Sequence, residues 1–83
     1  MHEKFKALLE EEHIFPTEFH FTFIVPTEQA ELVQTLLNGG RITLKASRNN
    51  RYTSVNAWMK LSSSEEVVYV YEKMKGIPGI IAL

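Results

Sequence analysis

Between Glu18 and Val25 the chain reads EFHFTFIV, with Phe19, Phe21, Phe23 and Val25 at every second position and Glu18, His20, Thr22 and Ile24 between them. Alternation at period two marks a strand with one face buried, and three aromatic rings on that face form a core signature. Eighty-three residues leave room for a single core, so whatever else forms must pack against these rings.

A second alternation supplies the neighbouring strand. From Tyr52 to Leu61, Thr53, Val55, Ala57, Met59 and Leu61 lie on one side, and Tyr52, Ser54, Asn56, Trp58 and Lys60 on the other. The polar run Ser47 to Arg51 before it carries Asn49-Asn50, residues that accept turn and left-handed geometry, so a hairpin turn is expected there. Ahead of the turn, Arg41 to Ser47 alternates Ile42, Leu44 and Ala46 against Arg41, Thr43, Lys45 and Ser47, the pattern of a half-buried strand.

Helices are expected between and before these strands. Pro26-Thr27 ends the phenylalanine strand, Thr27 stands where an N-cap belongs, and Glu28 and Glu31 occupy the first turn, where the helix dipole favours negative charge. Ala30, Val33 and Leu36 or Leu37 give the buried stripe, and Asn38-Gly39-Gly40 ends it. A second helix starts at Ser62-Ser63-Ser64-Glu65-Glu66, where Ser63 with Glu66, or Ser62 with Glu65, fits a capping box. Its apolar stripe is Val67, Val70, Tyr71 and Met74; Gly76 and Pro78-Gly79 stop it, and Ile80 to Leu83 offers a last strand with no tail expected beyond. At the other end, Glu3 to Glu12 spaces Phe5, Leu8 and Leu9 as a short amphipathic helix that needs docking to persist, and Pro16 separates it from the rest.

The expected fold is therefore α+β: residues 1–14 as a helical appendage, then a ferredoxin-like β-α-β-β-α-β domain over 15–83. Its four-stranded antiparallel sheet carries two helices on one face and has strands one and three in the middle. The other face then presents His20, Thr22, Ile24, Tyr52, Ser54, Asn56, Trp58 and Lys60, with Thr43 and Lys45 beside them.

Composition removes whole classes of chemistry. Without cysteine there is no disulfide frame, thiolate nucleophile or cysteine-bound metal. Neither a signal-peptide run nor a stretch near the ~20 apolar residues of a membrane span occurs, so a cytoplasmic protein with no membrane partner is expected. His20 is the one histidine on an expected central strand; it has the chemistry of a base or a pH-sensitive contact, but a plain polar position on the open face is the favoured reading. His2 and His13 lack metal-ligand spacing to it, Glu10-Glu11-Glu12 reads as a solvated helix end, and Gly39-Gly40 follows a helix where phosphate loops precede one. No catalytic residue, cofactor or metal is expected.

Charge is uneven although the net value is −1: residues 1 to 31 carry seven Glu against two Lys, whereas residues 32 to 64 carry Arg41, Lys45, Arg48, Arg51 and Lys60 and no acid. That basic block coincides with the hairpin.

The segments FPTEFHFTFIVP, SRNNRYTSV and YEKMKGIPGIIAL resemble, in order, those of the YbeD-like family, small bacterial proteins of unknown function. The resemblance spans Phe15 to Leu83 and implies a ferredoxin-like fold similar to ACT domains, small modules that bind metabolites and regulate enzymes. Members of that family often have Lys where Thr22 stands and Gly where Asn50 stands. It implies no catalytic residues.

The outward residues of the hairpin are thus the expected contact surface: Tyr52, Trp58 and Lys60, with Lys45, Arg48, Arg51 and His20. The leading expectation is a non-enzymatic ACT-like regulatory or protein-interaction module that self-associates as a homodimer through the open face or an edge strand and takes a small-molecule or protein partner. The alternative is a weak single-stranded RNA binder that uses the basic hairpin and the open face. The aromatic-rich signature of RNA-recognition modules is absent, and the strand-one aromatics point inward.

Overall fold

A computed structural model describes residues 2–83 and shows an α+β fold of three helices and a four-stranded antiparallel sheet. In chain order these are α1 (Glu3–Glu12), β1 (Thr17–Pro26), a 3-10 turn (Thr27–Gln29), α2 (Ala30–Leu36), β2 (Arg41–Ala46), β3 (Tyr52–Leu61), α3 (Ser64–Met74) and β4 (Ile81–Ala82). The strand order is β2-β3-β1-β4, so the two strands with the cleanest alternation occupy the middle. They pair over their whole length, from Thr17 opposite Leu61 to Pro26 opposite Tyr52.

That register puts Phe21 opposite Ala57 and Phe23 opposite Val55, all fully buried, under Val33, Leu37, Val67 and Val70 from the helical side. Large rings face small side chains across the pair, which lets the helices approach the sheet closely. Tyr71 sets its ring edge-on to Phe21 and Phe23, at 5.3 and 5.8 Å between centroids, the arrangement aromatic quadrupoles favour.

Helix α1 settles on the same side. Leu9 is buried, Phe5 meets the edge of Tyr71 at 5.7 Å, and the Ser64 hydroxyl donates to the Glu10 carboxylate at 2.8 Å. All three contacts lie on the helical layer, so the opposite sheet face stays uncovered.

Several local expectations need correction. Thr27 does not cap α2: the chain makes a 3-10 turn first, and the Thr27 hydroxyl instead bonds that of Thr53 at 3.0 Å, satisfying a buried polar group on the core face. Ser63 does cap α3, accepting from the Glu66 amide at 3.4 Å, but the Glu66 carboxylate accepts from the Ser62 N–H at 2.6 Å rather than from that of Ser63. Strand β2 stops at Ala46 because Ser47 is drawn into the turn, where its hydroxyl accepts the Tyr52 N–H and donates to Asn49. Asn50 takes the left-handed conformation with φ 59°. Leu44, expected to be inward, is 47% exposed, since the short α2 leaves the outer strand overhanging the core.

Candidate functional site

The open face divides into two ends with a hydrogen-bonded strip between them. Trp58 on β3 lies directly opposite His20 on β1 and directly opposite Arg41 on β2. The imidazole stacks on the indole at 4.5 Å with 6° between planes, and the guanidinium carbon lies 4.8 Å from the indole centroid. They come from the strands on opposite sides of β3, so the two groups approach the indole from opposite sides. Trp58 was expected to be exposed; it is half-buried because its cross-strand neighbours are planar groups that stack on it.

His20 is held as well as stacked. Its Nε2 lies 2.9 Å from Asn56 Oδ1, and the Thr22 hydroxyl donates to the same oxygen at 3.0 Å. The Thr22 hydroxyl also lies 3.3 Å from Nε2, so the imidazole, Thr22 and Asn56 form one polar cluster. The Asn56 amide then donates to Ser54 at 3.4 Å, which closes the strip along the sheet centre. Lys60 stands exposed opposite Glu18, and Arg41 reaches the Glu18 carboxylate at 4.0 Å.

The remaining expected residues lie elsewhere. Tyr52 is 47% exposed and sits six residues from Trp58 along β3, about 20 Å away at the ~3.3 Å rise of a strand. Arg48 and Arg51 are exposed on the turn beside it, and Lys45 is exposed on β2 opposite Ser54. The structure therefore brings together His20, Trp58 and Lys60, and separates them from Tyr52, Arg48, Arg51 and Lys45. Among the described residues, no ion pair or hydrogen bond engages the side chains of Lys45, Arg48, Arg51 or Lys60.

Sequence reasoning missed two parts of this surface. Arg41 was legible only as a flanking charge; counting back from the turn, which pairs Ala46 with Thr53, gives its register with Trp58. Ile81 and Leu83 were not assigned a face. Ile81 pairs with Ile24, and the Leu83 amide donates to the Thr22 carbonyl at 2.9 Å, which puts both side chains on the open face, 52% and 72% exposed. Ile24, expected to be exposed, is half-buried against them. The end of the face near β4 is thus apolar, and the Trp58 end is polar.

On the helical side an apolar cleft of ≈ 280 Å³ opens between α3 and β4, lined by Phe23, Tyr71, Met74, Lys75, Ile80 and Ala82. Its one cation, Lys75, is tied to Glu72 at 3.2 Å, a contact that holds the Glu72 carboxyl below the usual carboxylate range. No helix among the described residues is long and apolar enough to cross a membrane.

The family described as "Protein of unknown function (DUF493)" matches residues 10–83. No curated protein and no solved structure matched the chain.

Proposed function

The chain belongs to the YbeD family of small uncharacterised proteins, and on that premise we propose that it is a non-enzymatic protein-interaction module of the ACT-like kind, acting by contact through the open face of its sheet. We read the domain as ferredoxin-like, because the order β2-β3-β1-β4 is what a split βαβ unit with two right-handed crossovers produces. The observation that carries the functional reading is the uncovered patch of Ile24, Ile81 and Leu83, with Tyr52 on the same face, on a sheet whose helices all pack on the other face. An apolar patch rimmed by polar groups favours a protein surface over solvent.

Self-association as a homodimer is the simplest use of it. A two-fold contact repeats one patch against itself, so Ile81 and Leu83 meet their own copies, while the polar Trp58 ends form a rim. Small apolar metabolites, the other class of partner, suit the cleft at Tyr71 and Met74. A cytoplasmic setting belongs to the same proposal and is supported by a chain without cysteine.

The RNA alternative draws support only from the basic hairpin. Base stacking needs a free aromatic face, and Trp58 has His20 on one side and Arg41 on the other. Sedimentation equilibrium across the micromolar range, with Ile81→Glu as the comparison, tests the proposal: wild type is expected to shift to dimer with concentration and the variant to remain monomeric. A wild-type monomer at high micromolar concentration removes self-association.

A further inference from the structure

Strand β2 is the outer strand of the sheet, and its unpaired side can be read from one bond. The Ser47 amide donates to the Tyr52 carbonyl at 2.8 Å, so odd-numbered β2 residues direct their backbone groups toward β3 and even-numbered ones direct them outward. The N–H and C=O groups of Ile42, Leu44 and Ala46 are accordingly free on the edge. The side chains of this strand sort by face: Arg41, Thr43 and Lys45 on the open side, and Ile42, Leu44 and Ala46 on the helical side, where Leu44 and Ala46 are exposed.

We propose that the β2 edge is a strand-addition site for an acidic partner segment, an extended peptide in which Asp or Glu alternates with apolar residues. The inference rests on the reading of the chain as a contact module and names the chemistry of one partner. Three properties of the edge fit that occupant. The free backbone groups supply a ladder; the overhanging Leu44 and Ala46 supply apolar contact on one side of the added strand; and Lys45, unpaired and followed by Arg48 and Arg51 on the turn, supplies positive charge on the other.

A second copy of the chain fits worse. The antiparallel register of β2 with itself that centres on Thr43 sets Arg41 directly against Lys45 at both ends, and like charges opposite one another destabilise a sheet. The cations thus turn the edge away from its own kind and toward acidic strands.

The test uses the full chain and a short synthetic peptide of alternating Glu and Val, titrated at low salt and followed by amide resonances and hydrogen exchange. Binding is expected to protect the amides of Ile42, Leu44 and Ala46. Lys45→Ala and Arg48→Ala are each expected to weaken it about two- to five-fold, the scale of an exposed ion pair. A peptide N-methylated at alternate backbone positions leaves the protein untouched and is expected not to bind. Equal binding of the methylated peptide, tighter binding of a Lys-Val peptide, tighter binding of a single-stranded oligonucleotide, or no binding would each overturn the inference. Peptide failure in a protein that still self-associates through Ile81 overturns the edge site alone; peptide binding by a protein that is monomeric throughout overturns the open-face dimer alone.

Discussion

Replacing His20 by Ala removes one wall of the Trp58 sandwich, and the loss can be worked out from the contacts. The parallel stack at 4.5 Å contributes roughly 0.5–1.5 kcal/mol beyond burial. The Nε2 bond to Asn56 at 2.9 Å contributes roughly 0.5–1.5 kcal/mol, toward the lower end on an exposed face. Together these give about 1–2 kcal/mol. Arg41→Ala removes the other wall, a surface cation–π contact worth roughly 0.5–1 kcal/mol, and an ion pair to Glu18 that adds little at 4.0 Å between exposed groups. Urea unfolding followed by circular dichroism gives the stabilities, and quenching of the single tryptophan by acrylamide reports how open the indole is. Quenching is expected to rise in each variant and most in the double variant, and His20→Phe, which keeps the stack and loses the hydrogen bond, is expected to recover most of the shielding. Stability within ~0.3 kcal/mol of wild type, with unchanged quenching in both single variants, would refute the sandwich and reopen Trp58 as a free stacking platform.

Other consequences can be checked in the same assays. Phe21→Ala empties the centre of the core and is expected to cost roughly 3–5 kcal/mol, read as a fall in urea midpoint at unchanged slope. Gly79→Ala is expected to cost at least about 1–2 kcal/mol, because its φ of +74° is left-handed and the added carbon would sit 2.9 Å from the Pro26 ring. Burial raises the Tyr71 phenol above its ordinary value, so the folded state favours its neutral form; the stability this contributes is whole below the ordinary tyrosine range and is lost as pH rises through the raised value. Ultraviolet titration should show one of the three tyrosines ionising last, and Tyr71→Phe should remove that step.

Much of this fold was legible because its main signals are local and repeated. The period-two runs at Phe19 to Val25 and Tyr52 to Leu61 determine which faces are buried, and a one-residue slip in their pairing would turn Phe19, Phe21 and Phe23 away from the core, so the register follows. The turn at Asn49-Asn50 was readable for a similar reason: Asn50 stands where positive φ is needed. What escaped depends on contacts between distant residues. Thr27 has the chemistry of a cap, but Thr53 offers its hydroxyl a buried partner, and nothing local to Thr27 reveals that. Trp58 read as exposed because the alternation groups it with Asn56 and Lys60 on the open face; its neighbours in space, His20 and Arg41, come from the flanking strands. The face of Ile81 and Leu83 depends on how two residues of β4 pair with β1, and a two-residue strand carries too little pattern to disclose it.

The central claim is that the open sheet face makes the contact, and concentration-dependent amide chemical shifts test it most directly. On raising the protein from low micromolar to near-millimolar concentration, the shifts are expected to move at Ile24, Tyr52, Ile81 and Leu83, and to stay fixed along α1 and α3. Movement confined to the helical side, or no movement at any concentration, would contradict it.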